Sequence, residues 1–368
     1  MDISKIDKNF DLTFKAPEDI EWFSIRELPF SIHGIFFSEE EGLFRRIPKD
    51  VAQATNPGVA ALSACTAGGR VRFMTDSPYI AVRLEEPFAF PFSHMTVLCK
   101  FGVSLFTEHQ FAGTVMPSYG QIVKGDPNLG GSGKIIFDGI KYPHVAGNGA
   151  YLTEIFLPLY GAIHSIYVGV KKGSSVLPPR AYTHPVPVVF YGSSITQGGC
   201  AAKPGDDYIS RLCRLLDTEI LNLGFSGNAK GEQVMAEYIA QQKASVYVLD
   251  YDYNAPTAEH LQKTHYPLYE TVRKRNPDTP IIMMTMPTIE THENREWYQG
   301  RGEVILETIE KAKANGDKNV YFVDCHGCFG VLENGECGTM DGTHPDSLGF
   351  LRMAERVYPV LEQLLKVK

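Results

Sequence analysis

Short apolar runs, several alternating with polar residues, recur through the first half of the chain: Val71–Met74, Ile80–Leu84, Met95–Leu98, Lys134–Phe137 and Ile166–Val170. Turn formers separate them, as in Gly125–Gly131, which reads GDPNLGG. Period-two segments of this length, broken by Gly, Pro, Asn and Asp, predict the strands of an all-β sandwich or jelly roll. No long helical period precedes residue 180, apart from a short turn near Pro48–Ala54. The proline-rich stretch from Leu177 to Pro187 reads as a linker, because proline resists both helix and central strand.

Beyond it the pattern changes. Apolar strands are predicted at Val186–Tyr191, Glu219–Leu223, Val246–Leu249, Pro280–Thr285 and Val320–Val323. Helical periods lie between and after them, at Asp207–Leu216, Glu232–Gln241, Glu259–Arg275, Arg295–Ala314 and Ser347–Leu365. Strands alternating with helices predict βαβ units and a parallel, doubly wound α/β sheet. The expected division is an all-β unit over residues 1–182 and an α/β unit over 183–368, which suits a chain of 368 residues.

Charge narrows the range of partners. The formal net charge is −8 and no run of five like charges occurs, which argues against nucleic-acid binding. A small neutral or weakly polar substrate is the expected partner, and a homo-oligomer is left open. The seven cysteines are odd in number and irregular in spacing, so no disulfide framework is expected and a reducing compartment is favoured. The opening MDISKIDKNF lacks a basic segment followed by an apolar one, so a cytoplasmic location is expected. No window approaches 18 apolar residues, so no membrane helix is expected.

In an open parallel sheet, chemistry collects at the carboxyl ends of the strands. Four such ends carry suggestive residues. The first leads into Gly192-Ser193-Ser194-Ile195-Thr196-Gln197-Gly198, where small residues permit a sharp turn that exposes a hydroxyl. The spacing is not that of an α/β-hydrolase elbow, and the rival readings are a Ser/Gly loop capping the next helix or a phosphate cradle at a helix start. The second leads into Phe225-Ser226-Gly227-Asn228. Gly227 can present a backbone N–H to a developing oxyanion, or the segment is a plain turn with Asn228 as helix N-cap. The third carries Asn254, a neutral amide suited to the same task, beside Asp250 and Asp252, which also read as ordinary loop carboxylates. The last is Asp341-Gly342-Thr343-His344-Pro345, where a carboxylate three residues from an imidazole can fix its tautomer. Asp346 or Ser347 is placed to cap the helix that follows. Together the four loops supply nucleophile, base, orienting acid and oxyanion donors.

These blocks resemble those of the SGNH (GDSL-like) hydrolases. Gly192–Gly198 is similar to the first block, with Ser193 where Asp is often found, and the match makes Ser194 the nucleophile. Gly227 matches the second-block glycine. Asn254 matches the third-block asparagine, with Asp252-Tyr253-Asn254-Ala255 replacing the usual Gly-x-Asn-Asp. Asp341 and His344 take the acid and base places of the final block. The blocks span residues 186–350. Pro204-Gly205, Asn222–Asn228 and His344–Phe350 further resemble the branch with an N-terminal β-domain bearing a Gly-x-Asp-Leu-Tyr motif. Gly102–Phe106 is its nearest counterpart, with Asp and Tyr replaced, and Leu157-Pro158-Leu159-Tyr160 fits that domain better. The resemblance implies a flavodoxin-like three-layer α/β/α domain behind the β-sandwich. It implies a Ser194–His344–Asp341 acyl-enzyme mechanism, with an oxyanion hole of Ser194 N–H, Gly227 N–H and the Asn254 side chain, and no metal or cofactor. The implied substrates are short-chain esters, acetyl above all, on small molecules or oligosaccharides, without nucleic acid or membrane. Rival functions are a lipase, lysophospholipase or thioesterase on the same site, and a non-catalytic carbohydrate-binding protein.

Other features point elsewhere. Cys325-His326-Gly327-Cys328 with Cys337 raises zinc, against a buried or loop thiol pair. Trp297 and Arg301 are expected in helix packing or on a solvated face, with a substrate wall as the alternative. Tyr208 is expected in the core. The β-unit is expected to act as a lid or sugar contact, or else to form a dimer interface.

Overall fold

The computed structural model describes residues 15–87, 92–147, 149–288, 295–330 and 337–366. The second half forms a five-stranded parallel sheet in the order Thr218–Gly224, His184–Gly192, Val246–Asp250, Ile281–Met284, Val320–Val323. The first strand in sequence lies second in space, the flavodoxin-like order with its switch point beside that strand.

Alternation along the strands feeds two cores. Val188 and Phe190 pack with Val246, Val248, Ile282 and Met284 beneath helices Tyr208–Leu216 and Ser347–Lys366. Val189 and Tyr191 face the other way, with Leu249, Ile281 and Met283, beneath Gln233–Gln241, Ala258–Arg275 and Arg295–Ala314. The helix Tyr208–Leu216 shows the local logic. Asp207 caps it by accepting from Ser210 N–H, and Tyr208, Ile209, Leu212, Cys213 and Leu216 form its buried stripe. Asp346, not Ser347, accepts from the first N–H groups of the last helix, those of Leu348 and Gly349. Asn228 does not cap a helix: its amide donates to Ser226 O, and the next helix begins after Glu232.

The first half is a sandwich of two antiparallel sheets. One runs Ile20–Ser24, Ser165–Lys171, Ile80–Pro87, Lys134–Lys141. The other runs Val176–Leu177, Arg70–Thr75, Tyr151–Phe156, Val103–Thr107, Gln110–Val115, with Ser31–His33 also paired to Arg70–Thr75. Val82, Leu84, Phe137, Ile166 and Val168 of the first sheet meet Val71, Phe73, Leu105 and Ile155 of the second in one core.

Two expectations need correction here. Met95–Leu98 is no strand: Thr96 accepts from Cys99 N–H and starts the helix Val97–Phe101, a cap that outweighs the β-branched composition. The short turn expected near Pro48–Ala54 is the helix Lys49–Thr55, and the helices Pro57–Leu62 and Tyr119–Gly125 are likewise too short to show a period. The segment expected as a linker is packed. Tyr182 is buried under the Arg72 guanidinium, 3.6 Å from its ring, and accepts from Arg70 Nε at 3.0 Å. Pro185 and Pro187 sit at the start of the strand His184–Gly192, where the register shifts between His184 and Val188.

The two halves share a polar seam. Buried Arg46 donates to the carbonyls of Leu62 and Cys65 in its own half and of Asn222 and Gly224 in the sheet, with its guanidinium over Phe225. Arg70 and His33 both bind Glu219, and desolvation of that carboxylate is overcome by these partners, which hold it down at about 2. No helix among the described residues is long and apolar enough to cross a membrane.

Candidate active site

Gly192 ends the strand His184–Gly192 in register with Gly224 on one side and Asp250 on the other, so three loops leave the sheet together. A Cβ at Gly192 would lie 2.0 Å from Thr196 Oγ1 and 2.2 Å from Asp250 O, so only glycine lets the chain turn at once into the helix Ser194–Gln197. Ser193 caps that helix, its Oγ accepting from Ile195 N–H. Ser194 therefore takes the first helical position, where the backbone N–H has no partner within the helix.

The last loop folds back on itself: Met340 N–H and Thr339 Oγ1–H both donate to His344 O, at 2.9 and 2.7 Å. Asp341 Oδ1 accepts from the N–H groups of Thr343 and His344, at 3.0 and 2.8 Å, and Oδ2 lies 2.8 Å from His344 Nδ1. A carboxylate only accepts, so the ring proton sits on Nδ1 and leaves Nε2 as an acceptor. Nε2 is 3.0 Å from Ser194 Oγ. Burial raises the Asp341 carboxyl, but the hydrogen bonds from His344 and Thr343 outweigh it and hold it below its ordinary value.

Gly227 lies on the neighbouring loop at φ +67°. That loop is tied to the serine turn through Phe225 N–H to Gly192 O at 2.9 Å and Ser226 N–H to Gln197 Oε1 at 3.0 Å. Asn254, on the turn after the third strand, donates from Nδ2 to Phe225 O at 2.9 Å. All five residues expected at the site thus fall on three adjoining strand-end loops and the one that closes over them.

Several supports were not anticipated. Asp250 and Asp252 are not ordinary loop carboxylates but fully buried. Asp250 Oδ2 accepts from Thr196 Oγ1 at 2.8 Å and Tyr208 Oη at 2.7 Å, and burial pushes both carboxyls up to about 7. Arg301 is neither on a solvated face nor a substrate wall: it is 2% exposed and donates to the carbonyls of Asp252 and Ala255, clamping the loop that carries Asn254. The side chain of Trp297 lies outside the described residues. From the first half, Tyr160 donates to Ser194 O at 3.2 Å, and the His94 ring lies 5.5 Å from that of His344. The phrase Leu157–Tyr160 was visible in sequence, but nothing there assigned Tyr160 to the serine. Cys325 and Cys328 are buried and His326 pairs with Asp324, without a third metal-ligating group gathered round them among the described residues.

The sheet is doubly wound and parallel, and a hydroxyl, an imidazole and a carboxylate line up beyond its carboxyl edge, the arrangement of a serine hydrolase. Residues 185–362 match the GDSL-like lipase/acylhydrolase family model and residues 20–176 match the GxDLY model, the N-terminus of SGNH-hydrolase-type esterases. The chain belongs to this family of SGNH-type carboxylic ester hydrolases. Among solved structures, a GDSL-like lipase candidate from Bacteroides ovatus is 28% identical with a TM-score of 0.81, over 94% of this chain and 98% of that one. The salicylyl-acyltransferase SsfX3 of a tetracycline biosynthetic pathway shares the fold at 18% identity and TM-score 0.73, over 95% and 98%. So does a family two carbohydrate esterase from Clostridium thermocellum, solved with cellohexaose, at 14% and 0.61, over 92% and 99%. Among proteins of curated function, none matches the chain in sequence.

Proposed function

We propose that this protein is a serine esterase that removes short acyl groups, acetyl foremost, from carbohydrate esters. The observation that carries the reading is the hydrogen-bonded line from Ser194 Oγ through His344 to Asp341, at 3.0 and 2.8 Å. His344 Nε2 takes the Ser194 proton as Oγ attacks the ester carbonyl. The oxyanion is met by the N–H groups of Ser194 and Gly227 and by the Asn254 amide, each such donor typically contributing about 3–4 kcal/mol. His344 then protonates the leaving alcohol, and water frees the acid by the same route.

A short acyl group is favoured by the His94 ring, which comes from the first half of the chain and lies 5.5 Å from that of His344. A sugar as the alcohol is favoured by the fold shared with the carbohydrate esterase. The unit boundary near residue 182 belongs to the same proposal. The test is acetate release from a panel of acetylated sugars, set beside p-nitrophenyl esters of rising chain length. Ser194→Ala should abolish turnover and leave the melting temperature nearly unchanged. Turnover surviving in that variant rules the mechanism out.

A further inference from the structure

Four metal-ligating side chains converge beside the serine: His94 from the β-sandwich, Cys200 from the loop after the serine helix, and Asp341 and His344 from the last loop. One donor atom of each lies within 4.8 Å of all the others. The loops hold them there. Cys200 Sγ is 3.7 Å from His94 O, and a Cβ at Gly199 would lie 3.2 Å from His344 Cδ2, so the chain carrying Cys200 runs against the imidazole. The His94 and His344 rings are tilted by 35° at 5.5 Å.

We propose that this cluster is an inhibitory binding site for a borderline-soft divalent cation, zinc above all. Two imidazoles, a thiolate and a carboxylate are the donors that tetrahedral zinc takes, at about 2.0–2.3 Å from the ion and so roughly 3.4–3.8 Å from one another. Side-chain rotation of His94 and Cys200 closes the gap from 4.8 Å. Hard cations such as magnesium, which want six oxygens, are excluded by the same donor set. On binding, the Cys200 thiol proton leaves to solvent and the sulfur bonds to the ion. His344 spends a ring nitrogen on the metal and Asp341 an oxygen, so the imidazole can no longer act as base. The inhibition rests on the proposed esterase reading; the binding does not.

Calorimetric titration of the full chain with Zn2+, and its absorption spectrum with Co2+, test the site. One ion should bind, with a thiolate-to-cobalt charge-transfer band in the near ultraviolet. Cys200→Ser should lose that band, whereas Cys325→Ser and Cys337→Ser keep it. His94→Ala should weaken zinc by at least about tenfold, because loss of a ligand's supporting partner alone costs 10–100-fold. Zinc should abolish ester hydrolysis and a chelator restore it. A band that survives Cys200→Ser, affinity indifferent to His94→Ala, or no stoichiometric binding overturns the site. Failure of the metal-free protein on every ester would instead overturn the esterase reading and leave the binding result standing.

Discussion

Asp250 offers the sharpest test of how the serine turn is supported. Its carboxyl is sealed beneath Thr196 and Tyr208 and titrates at about 7 in place of 3.8. The sign follows from linkage: the folded state holds this proton more tightly than the unfolded chain. The stability involved is complete below the unfolded value and is lost as pH rises toward the folded one. The loss runs at about 1.4 kcal/mol per pH unit, which amounts to about 4 kcal/mol once the group is ionised. Asp250→Asn cannot ionise, and its Oδ1 can still accept from both hydroxyls. Relative to wild type, the variant should therefore gain roughly 3 kcal/mol more at about pH 8.5 than at about pH 5. Asp252 strengthens the contrast, because the Asp250 charge is one cause of its own raised carboxyl. Urea unfolding at the two pH values, followed by circular dichroism, gives the comparison. An equal change at both, or a larger loss at high pH, refutes a buried carboxyl that resists ionisation.

Two further substitutions separate support from chemistry. Gly227→Ala meets no atom within 4 Å but must adopt φ +67°, which costs about 1–2 kcal/mol. It should lower kcat more than it raises KM in ester hydrolysis, and an unchanged kcat would remove Gly227 from the oxyanion hole. Tyr160→Phe deletes one hydrogen bond to Ser194 O, which still accepts from Gly198 and Gly199 N–H. A loss of about 1 kcal/mol in stability is expected, with kcat down only a few-fold, read by thermal melts and steady-state rates.

The α/β half was legible because its signals are local. Each predicted strand and helix there matches an observed one to within a few residues, since the apolar period, the cap and the loop that follows are all written in consecutive positions. The candidates Ser194, Gly227 and Asn254 could be picked out for the same reason, standing just past strand ends, and Asp341 and His344 because they lie three residues apart in one loop. The β-sandwich was harder. Strands such as Tyr151–Phe156 and Val103–Thr107 are buried throughout and show no alternation, and Met95–Leu98 was misread because a single capping hydroxyl decided its conformation. The supports of the site were invisible for a different reason. Arg46 finds two of its four carbonyl partners about 176 residues away, Tyr160 and His94 reach the serine and imidazole from the other half, and Arg301 grips a loop nearly 50 residues upstream. No periodicity encodes such pairings.

The buried guanidinium of Arg46 bears on how this enzyme can be inherited and engineered. Its four carbonyl acceptors are split between Leu62 and Cys65 of the first half and Asn222 and Gly224 at the end of the strand Thr218–Gly224. A chain cut near residue 182 would bare the polar strand end on which the loop carrying Gly227 stands. The sandwich is thus no detachable accessory, and grafting it from one relative to another must carry both sides of this joint at once.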